Sequence, residues 1–276
     1  MSIPAMGQSA RAERPIGIFD SGIGGLTVAN AVSRLLPQER IIYFGDTAHL
    51  PYGDKSADAI RYYCLRIGKF LLEHNCKMIV VACNSASTAG YDVLLDFFRD
   101  QALFVNVVDP LVQEVARYPF HKVGIIATKA TIHSAVYQKQ LQRLQSGMQV
   151  AAVPTPLLAP MIEEGFVHNR VSKAVLDAYL SEPALKGMDA LLLACTHYPL
   201  IRQDIASYYG PEVAIFDATD VVAHTVRDRL ADAGLLSPRK AGTHAFYVSD
   251  HTAAFESATR LFYGEKLHLE PYPLWT

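Results

Sequence analysis

No stretch of this 276-residue chain reaches eighteen consecutive apolar residues, which argues against a membrane-spanning helix. Its opening segment, MSIPAMGQSARAERP, has no apolar core of the kind a secretory leader needs, so a cytoplasmic location is expected. An excess of charge of one sign is missing too. The 25 Lys and Arg residues stand against 27 Asp and Glu, a net charge of -2 without blocks, so neither nucleic acid nor an anionic membrane is an expected partner. Cysteine is scarce, with four residues, no C-x-x-C and no His pair at ligand spacing. That pattern offers no metal site, and in a reducing compartment it offers no disulfide. What remains is a chain that is half apolar and about twice the usual domain length, which favours two domains and business with a small molecule.

Short apolar runs alternate with helical patterns along the chain. IGIFD (16–20) precedes a helix over 25–36, IIYFGD (41–46) one over 57–74, and MIVVAC (78–83) one over 86–99. The order then begins again, with KVGIIAT (122–128), a helix near 131–145, MQVAAVPTP, a helix near 168–181, and ALLLAC (190–195). Strands alternating with helices in this way predict parallel sheets with crossover helices. Gly17 and Gly124 are 107 positions apart, and Cys83 and Cys195 are 112 apart, so the two halves repeat nearly in register. The expected fold is α/β, with two pseudo-symmetric domains whose mainly parallel sheets face a central cleft. VAIFDATDVVAHTVRDRL (213–230) adds a strand and a helix that return to the first half. The expected domains are residues 1–108 with 218–276, and residues 109–217.

Ligands of open parallel sheets lie beyond the carboxyl ends of the strands. Polar residues collect there: Asp20 and Ser21, Cys83 to Ser85, Thr128, and Cys195 to His197. IVVACNSAS and LLLACTHYP each end a buried strand on a cysteine, so facing halves would set one thiol on each side of a ligand. Two bases on opposite faces of one carbon suit inversion of configuration, the chemistry of a racemase or epimerase. Cys64 and Cys76 fit the core instead, Cys64 on a helical face with Ile60, Ile67 and Leu71 behind a Ser56 cap. DSGIGG (20–25) sits where a helix N-terminus would hold an anion. It matches neither dinucleotide nor P-loop spacing, and no acidic residue is usefully placed after a second strand for a ribose, so a small carboxylate is the better fit.

GIFDSGIGGLTV, YFGDTAHLPYGDKS, VVACNSAS, GIIATKATIHSAVY, LAPMIEEG and LLLACTHYPLI, in this order between about residues 15 and 220, together resemble the glutamate racemase family. The resemblance implies a cofactor-independent isomerase that makes D-glutamate for peptidoglycan and hence for cell shape, commonly as a homodimer. It implies Cys83 and Cys195 as the acid/base pair, Cys83 serving D-glutamate and Cys195 serving L-glutamate. Asp20 would assist Cys83, and His197 would assist Cys195 with Glu163 behind it. Around the substrate it implies Asp20, Ser21, Tyr52, Gly53, Asn84, Ser85, Thr196 and His197, to which the strand-end reading adds Thr128. The chain departs from the family pattern at His49, where many relatives carry Arg, and at Ser85, where many carry Thr. Loss of the branched Cβ at Ser85 would loosen its rotamer.

Each residue also has an ordinary use. Asp20 and Ser21, or Thr128 and Thr131, can cap helices, Tyr52 and Gly53 can form a turn, and Glu163 can be solvated helix charge before Gly165. Three other activities fit part of the pattern. An aspartate racemase would differ by one methylene in the pocket, worth only about 1–3 kcal/mol. A two-lobed amino-acid binding protein would need neither cysteine, and a malonate-type decarboxylase would need one.

Overall fold

A computed structural model of the chain describes residues 8–239 and 242–275. Residues 1–7, part of the segment considered above for a leader, lie outside them. The first half runs α1 (Gln8–Ala12), β1 (Ile16–Asp20), α2 (Leu26–Leu35), β2 (Ile41–Gly45), α3 (Ala57–Glu73), β3 (Met78–Val81), α4 (Asn84–Phe98), β4 (Leu103–Asn106) and α5 (Val108–Val115). The second runs β5 (Lys122–Ala127), α6 (Lys129–Ser134), α7 (Val136–Leu144), β6 (Gln149–Pro154), α8 (Leu158–Glu163), α9 (Arg170–Leu180), β7 (Ala190–Ala194), α10 (Arg202–Tyr209) and β8 (Ala214–Asp217). The chain closes with α11 (Thr219–Asp232), β9 (Ala245–Val248), α12 (Ala253–Tyr263) and β10 (Glu270–Pro271). Among the described residues no helix is long and apolar enough to cross a membrane.

Both sheets are parallel throughout, in the orders β10-β9-β2-β1-β3-β4 and β6-β5-β7-β8. The run β2-β1-β3-β4 has the same topology as β6-β5-β7-β8, so β3 and β7, the strands that lead into the two cysteines, hold equivalent places. Every residue of β1, β2, β3 and β7 is buried, as expected where helices cover both faces of a parallel sheet. One continuous apolar core joins α2, α5 and α11 to the second sheet, and a separate one lies under α3 and α4. The strand of 213–230 stays with the second sheet, where β8 pairs with β7. The return to the first half is made by α11, which packs on α2 and α5, and then by β9 and β10.

The helix expected over 131–145 is two helices. Ser134 Oγ donates to Thr131 O at 2.7 Å and accepts from Val136 N at 3.3 Å, and Ala135 turns into the left-handed region at φ 54°. A short hydroxyl that competes for backbone partners ends α6 there. The Ser56 cap is present, with its Oγ accepting from Ala59 N, and Cys64 and Cys76 are buried in the α3/α4 core. Burial raises the Cys64 thiol well above its ordinary pKa and pushes Cys76 to about 12, so neither is a ready nucleophile.

Candidate active site

The carboxyl ends of both sheets open on one cavity of about 220 Å³. The first half contributes Ser21, Tyr52, Gly53, Cys83, Asn84 and Ser85 to its wall, and the second half Thr128, Glu163, Cys195, Thr196 and His197. Asp20 lies behind Ser21, fully buried and off the wall. Thr27 Oγ1 donates to Thr196 O at 3.1 Å, and Ser85 Oγ meets Thr128 Oγ1 at 2.9 Å, so hydrogen bonds cross between the halves on both sides of the cleft. Two glycines permit this approach. A Cβ on Gly24 would sit 2.4 Å from His197 Cε1, and one on Gly53 would sit 2.8 Å from Thr128 Cβ.

Cys83 caps α4. Its Sγ accepts from Ala86 N at 3.4 Å and donates to Ser21 Oγ at 3.6 Å. Burial, and then the negative charge of Asp20, push its pKa up to about 12 against those two hydrogen bonds, so at rest it is a thiol. Asp20 Oδ2 accepts from Gly22 N and Gly25 N, whereas its Oδ1 is buried without a hydrogen-bond partner among the described residues. Burial raises the Asp20 pKa, and the positive charge of His197 with the backbone N–H groups offsets only part of that.

On the other wall Cys195 Sγ lies 3.6 Å from His197 Nδ1, and His197 Nε2 is 2.8 Å from Glu163 Oε1. Burial lowers the His197 pKa, but Cys195 and Glu163 outweigh it and hold the ring well above the usual imidazole value. A positively charged ring beside Sγ is the partner a thiolate needs. A ring clamped between a thiol sulfur and a carboxylate also has its tilt and protonation fixed.

The structure shows what supports several of these residues. The Tyr52 hydroxyl donates to Asp46 Oδ2 at 2.6 Å, which commits its proton within the protein. Asp46, missed in the sequence, is a fully buried hub that also takes His49 Nδ1, Ser249 Oγ and Trp275 Nε1. An acidic residue does follow the second strand, then, but its oxygens are occupied by the protein and not free for a ribose. His49 stacks on Tyr63 at 4.2 Å and pairs with Asp46, so it buttresses the Tyr52 turn from outside the cavity. Ser85 lacks the branched Cβ but is held by the Thr128 and Thr131 hydroxyls, at 2.9 and 3.4 Å. The missing clue was sequence distance: Trp275 reaches Asp46 from 229 residues away.

A larger groove of about 1,020 Å³ lies between α9 and α10, lined by exposed charged side chains such as Arg170 and Lys173, and no cysteine reaches it. Among the described residues no three His, Cys, Asp or Glu side chains cluster as metal ligands.

Two like-built α/β halves that each present one thiol to a shared cleft are the arrangement of an enzyme that acts on a small molecule. A family model for Asp/Glu/hydantoin racemases matches residues 26–226. A glutamate racemase of Chlorobaculum tepidum is 41% identical over 261 residues, covering 92% of this chain and 94% of its own. The crystal structure of a Francisella tularensis glutamate racemase in complex with D-glutamate superposes with a TM-score of 0.90 at 36% identity, over 96% of this chain and 99% of that one. The Thermus thermophilus glutamate racemase in complex with β-chloro-D-alanine gives a TM-score of 0.86 at 37% identity, over 95% and 97%. The chain belongs to the aspartate/glutamate/hydantoin racemase family.

Proposed function

We propose that this protein interconverts L- and D-glutamate by a two-base mechanism without a bound cofactor. The observation that carries the reading is the placement of Cys83 and Cys195 on opposite halves of one cleft, each beside its own polar partner. A cavity of about 220 Å³ is below the roughly 300–1,000 Å³ of sites for drug-sized ligands, a size for a small acid rather than a nucleotide. The glutamate racemases matched above, one of them with D-glutamate bound, favour glutamate over aspartate. Residues 1–108 with 218–276 form one domain in this reading and 109–217 the other, a division supported by the membership of the two sheets. A cytoplasmic homodimer that supplies D-glutamate for peptidoglycan belongs to the same reading.

Removal of the weakly acidic α-hydrogen needs a thiolate on one face, a thiol on the other, and donors placed for the developing negative charge. The Cys83 thiol and the positively charged His197 beside Cys195 suit the L-to-D direction: Cys195 takes the proton of L-glutamate, and Cys83 returns one on the opposite face. In the reverse direction Ser21 assists Cys83 through its hydrogen bond to Sγ, and Asp20, with a pKa raised by burial and an Oδ1 without a hydrogen-bond partner among the described residues, takes up the proton the thiol must lose. Asn84, Ser85 and Thr128 line the substrate between the thiols, and the Gly53 N–H and Thr196 hydroxyl are donors for the side-chain carboxylate. The test is circular dichroism of L- and D-glutamate, and of both aspartates, with purified protein and nothing added. Decay of the glutamate signal to zero from either enantiomer is expected; faster decay with aspartate would replace the substrate, and no decay with any would overturn the activity.

Because Asp20 and His197 serve different cysteines, Asp20→Asn and His197→Asn are expected to lower kcat by about 100-fold, the low end for loss of a group that assists proton transfer, each mainly in one direction. The enantiomers are equal in energy, so kcat/KM stays matched between directions and the asymmetry appears in kcat with a compensating change in KM. Asp20→Asn should slow D-to-L turnover more, and His197→Asn L-to-D turnover. Equal losses of kcat in both directions for both variants would remove the separate roles.

A further inference from the structure

The geometry points to Tyr137 as the positioning residue of Asn84: its hydroxyl, reaching across from the second half, fixes the Asn84 amide so that Nδ2 faces the cavity as a donor to a substrate carboxylate. Tyr137 lies in the first turn of α7 and is fully buried, with its hydroxyl 2.7 Å from Asn84 Oδ1 on the first turn of α4. That amide is the only partner of the hydroxyl among the described residues. If the amide were reversed, Nδ2 would donate to the tyrosine oxygen, and the phenolic proton would be buried with no acceptor, a cost of about 1–3 kcal/mol. The hydrogen-bond inventory therefore decides the orientation. Oδ1 is committed to Tyr137, and Nδ2, with no partner among the described residues, is left on the side of the cavity that Asn84 lines.

The surroundings keep Tyr137 in that role. Burial first, and then the charge of Asp109, raise its pKa, so it stays a neutral donor. Gln140, one turn further along α7, donates to Asp109 Oδ1 at 2.8 Å, while Asp109 Oδ2 accepts from Asn106 Nδ2 at 2.7 Å. The same helix is thus pinned to α5 and to the start of α4, and the donor face of Asn84 is set by contact between the halves. Tyr137 does not itself line the cavity and acts only through Asn84.

This inference rests on the reading of the cleft as a glutamate site, and its test separates the two. Binding of D-glutamate by calorimetry, and KM and kcat in both directions, would be compared for the wild type, Tyr137→Phe, Asn84→Ala and the double variant. Tyr137→Phe should raise Kd and KM about five- to tenfold, the net value of one ordinary hydrogen bond, with kcat changed less than twofold. In the Asn84→Ala background the same change should add less than twofold, because the amide it orients is gone. An unchanged Kd in Tyr137→Phe, or an equal effect in both backgrounds, would overturn the inference. Asn84→Asp offers a route that leaves Tyr137 intact: it keeps an acceptor for the hydroxyl and removes the N–H donors, so it should bind D-glutamate at least tenfold more weakly, and wild-type affinity would overturn the inference. A wild type that binds D-glutamate without racemising it would instead overturn the activity, while the coupling between the two residues could still be read from binding alone.

Discussion

Cys83→Ser and Cys195→Ser are each expected to lower racemisation by at least about a thousandfold in both directions, toward the upper range for loss of a proton-transfer group. Each direction uses one cysteine as base and the other as acid, so neither direction survives the loss of either. The environment of Cys83 makes serine a poor substitute there. Burial and Asp20 already push the thiol up to about 12, and a hydroxyl, intrinsically far less acidic, would not ionise in the same place. At Cys195 the His197 charge lies 3.6 Å from Sγ and would help a serine more, yet the hydroxyl starts from a much higher pKa. Circular dichroism of enantiopure glutamate reads the loss. A variant that kept a tenth of wild-type turnover would show that its cysteine is not part of the proton path.

Elimination divides the two roles. In a β-chloro analogue of glutamate the base takes the α-proton, the freed electron pair forms the Cα–Cβ double bond, and chloride leaves, so a single base is enough. Cys83→Ser should therefore release chloride from the L form and not the D form, and Cys195→Ser from the D form and not the L form. This readout also escapes the symmetry that forces kcat/KM to be equal in a racemisation. Release from the same enantiomer by both variants would place both thiols on one face of the substrate and end the two-base reading.

The parts of the fold that were legible in the sequence are those in which local pattern and global environment agree. β1, β3 and β7 are buried on both faces and appear as unbroken apolar runs, and the polar residues that stop them are the ones that line or back the cleft. The near-repeat of Gly17 with Gly124 and of Cys83 with Cys195 carried the matching topologies of the two sheets. What stayed hidden depends on partners far apart in sequence. Tyr137 and Asn84 are 53 residues apart, and Asp46 gathers Ser249 and Trp275 from more than 200 residues away. Residues 103–106 and 245–248 are four-residue strands, too short to show a period, and the break at Ala135 was hidden because Ser134 fits a helical pattern until its hydroxyl finds the backbone.

The second large effect is expected at the other end of the first sheet, away from the chemistry. Lys77 precedes β3 and is fully buried, its Nζ 2.5 Å from Glu39 Oε2, itself 1% exposed. Nζ also donates to Ala12 O at 2.5 Å and Leu235 O at 2.9 Å, while Glu39 Oε1 accepts from Ser237 N at 2.8 Å. Four separate chain segments meet on this one charge pair: the end of α1, the turn before β2, the start of β3 and the connection between α11 and β9. Burial lowers the Lys77 pKa and Glu39 opposes it, so the lysine is held charged at a cost that its partner offsets. Lys77→Met fills similar space but leaves a buried carboxylate without its cation, a loss of about 3–5 kcal/mol. For a chain of this size that is a fall in melting temperature of roughly 10 °C. Glu39→Gln should cost less, and less still at higher pH: a lysine whose folded-state pKa is depressed binds its proton more weakly than in the unfolded chain, so stability rises as pH climbs from that value through 10.5. The double variant Lys77→Met/Glu39→Leu should recover part of the loss, since no charge is then buried alone, though the carbonyls of Ala12 and Leu235 and the Ser237 N–H remain without partners. Thermal melting of the four proteins at neutral and raised pH, with glutamate turnover measured well below the transition, reads all of this. Melting of Lys77→Met within about 2 °C of the wild type would show that the pair does not hold these segments, and a double variant less stable than Lys77→Met would show that the neighbouring backbone contacts, rather than the paired charges, carry the stability.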